Sequence, residues 1–295
     1  MELIELHRQF RRYCSIEEGL SINTLHDLES KIKTFVKRTG VEKLSGIDLG
    51  VIREFFYEGK ERYAWSFYTF ENYHKYLKKF FNWCVLNKYM KKNPILEIKK
   101  PKRPQRLPRR LDGDEPQKIL YTAFSLDWKY AYEKVRNYTI IATFLYAGLR
   151  RNELTNLELT DINLDDDSML IRHGKGNKDR YVPIYYKLKP ILKRYLLDRK
   201  MANKESMYLF VGAKSNKPLT ESGIKGIFKR LQIGSGIYVT PHKLRHTFAS
   251  MAVEKDVALP KVQQILGHSS IQSTMIYLKM SPKALNTGLN AVDLF

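Results

Sequence analysis

The sequence predicts a mainly α protein with a small antiparallel β-sheet, divided into two folded parts. Three observations carry this expectation. Apolar residues recur at helical spacing along most of the chain, a pair of short β-type runs brackets a glycine-containing turn, and a proline-punctuated run of cations separates an N-terminal part from a C-terminal one. A length of 295 residues suits one large or two ordinary domains, and a hydrophobic fraction of 43% is enough for a sizeable core.

Residues 1–98 read as a helical domain. From Asn23 the apolar positions Leu25, Leu28, Ile32, Phe35 and Val36 line one helical face, and Gly40 is placed to end that helix. A shorter pattern follows with Leu49, Ile52, Phe55 and Phe56. Another helix starts near Ser66, carries Phe70, Tyr73, Leu77, Phe80, Phe81 and Cys84, and ends before Asn93-Pro94, since the residue ahead of a proline is pushed out of helical geometry. These stripes suit the core of a small bundle, with the aromatics as packing rather than as base-stacking platforms.

Residues 99–110 change character. Lys99, Lys100, Lys102, Arg103, Arg106, Arg109 and Arg110 occur there with no acid, interrupted by Pro101, Pro104 and Pro108. Proline removes backbone donors and keeps a chain extended, so the stretch reads as a linker. An extended, all-cationic strap between two folded parts is placed to lie along phosphates, although a merely solvated linker has the same composition.

Residues 111–295 form the second part. A helix starts at Asp112 to Pro116, and a second, through Tyr138, Ile141, Phe144 and Leu145, stops at Gly148. Ser168–Arg172 and Arg180–Ile184 are short strands around the turn 173–178. Later helices cover roughly Leu188 to Lys200, Ser222 to Leu231, Pro241 to Glu254 and Leu259 to Leu266. Beyond Ser281-Pro282, Ala284, Leu285, Leu289 and Val292 recur at helical spacing and suggest a short amphipathic tail helix.

Charge narrows the function. Lys plus Arg is 52 and Asp plus Glu is 31, and 52 − 31 gives the net charge of +21. Like charges repel in a compact chain, so an excess of this size points to a polyanionic partner, nucleic acid first and an anionic membrane surface second. Cys14 and Cys84 fit no metal spacing and suit a reducing compartment. The opening Met1-Glu2-Leu3-Ile4-Glu5 is acidic where a signal peptide is basic, and the most apolar stretch, Thr139 to Leu149, is too short to span a bilayer. A soluble, cytoplasmic protein is the expectation.

Four pieces of the second part carry candidate chemistry: Ala147-Gly148-Leu149-Arg150-Arg151-Asn152-Glu153-Leu154, Gly174-Lys175-Gly176-Asn177-Lys178-Asp179-Arg180, His242-Lys243-Leu244-Arg245-His246-Thr247-Phe248-Ala249, and Leu266-Gly267-His268 followed by Tyr277. Each alone is weak. The Gly-Lys-Gly turn lacks P-loop spacing. His242 and His246 stand four apart, but the helical zinc pattern needs Glu after the first histidine and Lys243 stands there, so no metal is expected.

In this order and spacing the pieces resemble the tyrosine recombinases, and most closely their Xer-type members and mobile-element relatives. The resemblance extends to Gly19-Leu20-Ser21-Ile22-Asn23-Thr24, to Asn93-Pro94 and to Leu107-Pro108-Arg109-Arg110-Leu111. It implies an N-terminal core-binding domain and a tyrosine-recombinase catalytic domain that close around DNA. It assigns Arg150 and Arg245 as the catalytic arginines, Lys175 as the hairpin lysine, His242 and His268 as the histidines, Tyr277 as the nucleophile and Glu153 as the carboxylate behind Arg150. Arg151 departs from the small or aliphatic residue common there, and no role follows for it. No cofactor is implied. The implied partner is double-stranded DNA with paired half-sites, bound as a dimer per site and a tetramer on synapsed DNA, with a second recombinase or accessory protein left open. The resemblance also favours a tail that docks on a neighbouring subunit, the alternative being its own catalytic domain.

These residue types suit the implied reaction. Attack on a phosphodiester builds charge on non-bridging oxygens, which two guanidiniums bind in forked fashion. A phenol with pKa near ~10 costs roughly 4 kcal/mol to ionise at neutral pH, so nearby cations and a proton-accepting histidine, His242 or His268, are wanted. Lys175 is placed to protonate the departing 5′-oxygen. A type IB topoisomerase uses similar chemistry, and a non-catalytic DNA-binding protein on the same scaffold would predict lost catalytic residues, yet every family position is filled.

Overall fold

The structure is a computed structural model that describes residues 1–104, 109–172, 179–268 and 270–280, apart from the side chains of Lys279 and Met280. Arg106, Lys175 and the tail beyond Met280, which figure in the expectations above, lie outside the described residues. The protein is mainly α with a small antiparallel sheet, and it divides into two compact units, Met1–Gln105 and Arg106–Phe295. Among the described residues, no helix is long and apolar enough to cross a membrane.

The first unit contains α1 (Leu3–Ile16), α2 (Ile22–Thr39), α3 (Leu49–Glu61) and α4 (Phe67–Leu86). Three of them begin at side-chain caps: Ser21, Asp48 and Ser66 accept from the backbone N–H of Thr24, Val51 and Thr69 at 3.3, 2.8 and 3.2 Å. Gly40 ends α2 at a left-handed φ of 67°. Helix α1 escaped the sequence reading; its inward face is Leu3, Leu6, His7, Phe10 and Cys14. Helix α4 stops at Leu86, well ahead of Asn93-Pro94, because the chain turns at Lys88 with φ 60°. The aromatics do pack: Phe35, Phe55, Phe56, Phe80 and Phe81 are buried, and Phe55 meets Trp65 edge-on at 5.2 Å.

The second unit is built around α6 (Ala131–Ala147), which packs against α5 (Glu115–Ser125), α8 (Lys189–Met201) and α10 (Pro241–Glu254). Ile140, Ile141, Phe144, Leu145 and Ala147 are buried there, and the buried hydroxyls of Thr139 and Thr143 donate to Val135 O and Thr139 O at 2.8 and 2.7 Å. Between them come α7 (Arg151–Thr155) and strands β1 (Ile162–Asn163), β2 (Ser168–Ile171) and β3 (Arg180–Pro183), all antiparallel in the order β1-β2-β3. Met169 faces Val182 across the β2–β3 pair, and Met169, Ile171 and Val182 point into the core. Helices α9 (Glu221–Ser235), α11 (Leu259–Leu266) and α12 (Gln272–Met280) complete the unit.

Gly148 is the hinge between this core and the candidate chemistry. It ends α6 at φ 62°, and a Cβ added there would meet the Phe248 ring at 2.4 Å. Only glycine makes this reversal without strain, and it brings the chain directly to Leu149 and Arg150. Replacing Gly148 with Ala costs at least ~1 kcal/mol in backbone strain before Phe248 is displaced. The melting temperature should therefore fall by about 2–4 °C or more. An unchanged melting temperature would show that the turn tolerates a side chain.

Candidate active site

Arg150 sits at the N-cap of α7 in extended conformation, with Glu153 in the first turn. The two meet at the helix start, where the Glu153 carboxylate accepts from the Arg150 backbone N–H and from its Nη1, both at 2.7 Å. Carboxylates are favoured at helix N-termini, where backbone N–H groups lack partners. The other arm of Arg150, Nη2, donates to Gly267 O at 2.7 Å.

A third residue holds the same carboxylate. Arg180, at the start of β3, donates from Nη1 and Nη2 to the two Glu153 oxygens at 2.8 and 2.9 Å, and from Nε to Ile265 O at 2.8 Å. Arg245 on α10 lies 4.0 Å from Glu153 and is 3% exposed. Its Nη1 donates to Gly148 O at 2.7 Å and its Nη2 to Leu266 O at 2.6 Å. Burial alone would raise the Glu153 pKa, but Arg180 and Arg150 outweigh it and hold the group at about 2. Burial, helped by the charge of Arg150, lowers Arg245 to about 10, so it remains a cation at neutral pH. Three guanidiniums around one carboxylate, three charges less one, leave an excess of two positive charges in a nearly dry setting.

Tyr277 on α12 is 2% exposed and packs among Ala249, Val253, Val262 and Leu266. Its hydroxyl is 2.9 Å from Nδ1 of His246. Burial raises its pKa, and the opposing charges of Arg245 and Arg150 do not cancel that rise, so the phenol is protonated at neutral pH. His268 follows Gly267, which ends α11 at φ 62°. Its Nδ1 is 2.9 Å from the Thr274 hydroxyl, and its ring lies parallel to Tyr277, centroids 6.3 Å apart. Burial, then the charges of Arg245 and Arg150, lower its pKa to about 4. His242 stands on the open side of the first turn of α10, its pKa lowered by partial burial and then by Arg245, Arg150 and Arg151.

The structure thus gathers Arg150, Glu153, Arg245, His268 and Tyr277 in one place, with His242 at its rim. Sequence reasoning missed Arg180, His246 and Thr274. Arg180 was the last residue of a motif read for its lysine, and His246 was weighed only as a metal ligand. Arg151 acquires a partner, Glu221 of α9, at 2.7 Å on the surface. Lys99, Lys100, Lys102 and Arg103 are exposed residues of the first unit. Among the described residues, no group of three or more His, Cys, Asp or Glu side chains is gathered as for a metal ion.

Comparison with known proteins gives the family of the chain and the likeness of its fold. A model of the phage integrase family matches residues 109–283. The tyrosine recombinase XerA of Pyrococcus horikoshii is 35% identical over 200 residues, which is 67% of this chain and 66% of that protein. The tyrosine recombinase XerC of Bacillus pumilus is 29% identical over 291 residues, 94% of this chain and 92% of that one. Among solved structures, the XerH site-specific recombinase bound to its difH substrate superposes with a TM-score of 0.73 at 24% identity, covering 96% of this chain and 84% of that one, a likeness of fold.

The depressed histidines set a pH dependence. His246 and His268 have folded pKa values of about 4, below the ordinary 6.5. Above 6.5 neither folded nor unfolded chain protonates them, and their full contribution to stability is present. As pH falls from 6.5 towards 4 the unfolded chain takes up protons first, and stability is lost. The melting temperature should therefore decline across that window, and a variant with both replaced by Gln should decline less steeply. Parallel slopes for the two proteins would contradict the assignment.

Proposed function

The chain belongs to the phage integrase family, and from that premise we propose that it cuts and rejoins DNA at specific sites through a covalent bond between Tyr277 and a DNA 3′-phosphate. It is a tyrosine-type DNA strand transferase. The observation that carries the residue assignment is the convergence of Arg150 and Arg245 on one buried carboxylate, with the Tyr277 hydroxyl close enough to feel both charges.

Each guanidinium spends part of its fork of donors on the protein: Arg150 on Glu153 and Gly267 O, Arg245 on Gly148 O and Leu266 O. The remaining N–H groups are those available to the non-bridging oxygens of a scissile phosphate. Because the planes are held beforehand, little reorganisation is needed as charge grows in the transition state. The incoming phosphodiester brings one negative charge, which lowers the excess of two to one, and the remaining positive charge meets the charge that develops in the transition state. His242 and His268 are the residues nominated to support proton movement at the site, and Lys175 is the general acid that protonates the departing 5′-oxygen. The 3′-phosphotyrosyl ester conserves the energy of the broken bond, so a 5′-hydroxyl from another duplex reseals the strand without ATP. Two rounds of exchange pass through a Holliday junction. The assembly is a dimer on each site and a tetramer on the synapsed pair, and Lys99, Lys100, Lys102, Arg103 and Arg106 contact phosphates.

The nucleophile is tested first. Tyr277→Phe should bind DNA and give no SDS-resistant adduct on a nicked substrate; an adduct of normal yield would overturn the assignment. The same preparation of parent protein separates recombination from topoisomerase-like activity, since site-specific exchange between two sites is expected and relaxation of any supercoiled plasmid is not.

The general acid is tested by chemistry. Lys175→Ala should cleave an ordinary strand poorly. A 5′-bridging phosphorothiolate, whose sulfur leaves without a proton, should restore much of the rate. Equal defects on both substrates would give this lysine a binding role instead.

A further inference from the structure

His246 carries none of the roles drawn from the sequence, yet its ring is the one that meets the reacting hydroxyl. Nδ1 lies 2.9 Å from the Tyr277 oxygen. Burial, with His242 and Arg245 alongside, holds the pKa of His246 at about 4, so the ring is neutral at working pH. Tyr277 keeps its proton there. A protonated phenol beside a neutral imidazole fixes the direction of the bond: the hydroxyl donates and Nδ1 accepts, with the imidazole proton on Nε2.

The neighbouring histidines are placed differently. His268 spends Nδ1 on the Thr274 hydroxyl and offers Tyr277 the face of its ring, at 13° between planes. His242 contacts His246, ring centroids 5.7 Å apart, from the outer side. His246 also has a firm mount. It is flanked on α10 by Arg245, pinned by two carbonyls, and by Thr247, whose hydroxyl donates to Lys243 O at 2.8 Å and accepts from the Leu111 N–H at 2.9 Å.

We propose that His246 positions the nucleophile, its Nδ1 accepting the Tyr277 O–H so that the proton turns towards α10 and the oxygen lone pairs are left for phosphorus. A hydroxyl turned the other way would donate to a phosphate oxygen and put its proton where the new P–O bond must form. The inference rests on Tyr277 as the nucleophile.

The test separates attack by the tyrosine from activation of the phosphate. On a nicked half-site that traps the covalent product, His246→Phe should slow adduct formation about tenfold, the loss of one neutral hydrogen bond. His246→Asn, whose amide oxygen comes near the place of Nδ1, should recover most of that loss. In a Tyr277→Phe background, hydrogen peroxide supplied as nucleophile uses the guanidiniums without the tyrosine. Adding His246→Phe there should leave the rate within about twofold. Equal losses in the two reactions would make His246 a structural residue, and an unchanged or faster adduct rate in His246→Phe would make the bond a resting contact; either overturns the proposal. If the wild-type protein forms no adduct at Tyr277, the nucleophile assignment itself falls, and this inference with it.

Discussion

The second unit depends on one buried ion cluster, the Glu153 carboxylate among Arg150, Arg180 and Arg245. Without the carboxylate, three guanidiniums would crowd together in a nearly dry space, and their mutual repulsion would drive them out to solvent. With it, each cation has a reason to stay. The arrangement ties the start of α7, the start of β3 and the middle of α10 to a common point. Elements far apart in sequence are thereby placed around one prospective phosphate.

The other half of the support comes from helix ends. Gly148 closes α6 and Gly267 closes α11, both in left-handed conformation. Carbonyls at helix C-termini lack intrahelical partners and carry partial negative charge. Gly148 O and Leu266 O turn to Arg245, and Gly267 O turns to Arg150. Cations and orphan acceptors satisfy each other, so Arg245 is oriented by backbone on both arms, and Arg150 by backbone on one arm and by the buried Glu153 carboxylate on the other. Arg suits each position better than Lys, because its planar fork reaches two separated acceptors, a carboxylate and a carbonyl for Arg150 and two carbonyls for Arg245, and keeps further donors.

How far the sequence reveals this depends on whether the cause is local. The caps at Ser66 and Gly40, and the bounds of α10 and α11, follow from neighbouring residues and were legible. So was the β2–β3 pair. Helix α1 was overlooked although Leu3, Leu6, Phe10 and Cys14 recur at helical spacing, so its signal was present in the sequence. The two-residue β1 exists only through pairing with β2. At the site, the family pattern supplied Arg150, Glu153, Arg245, His268 and Tyr277, but not their geometry. Arg180 meets Glu153 across 27 residues and His246 meets Tyr277 across 31. No local rule connects such pairs, and His246 was also masked by a zinc-like spacing with His242.

The fixed excess of positive charge makes the site an ion exchanger. In the absence of DNA, mobile anions from the buffer gather over Arg150 and Arg245, and they leave when a phosphodiester arrives. Affinity for DNA is then a competition, dependent on which anion is present as well as on total ionic strength. Sulfate or inorganic phosphate, tetrahedral and multiply charged, displaces less readily than chloride. The same ions, by occupying the folded protein and not the unfolded chain, shift the folding equilibrium towards the native state. Stability and DNA affinity are therefore set in opposite directions by one choice of counterion.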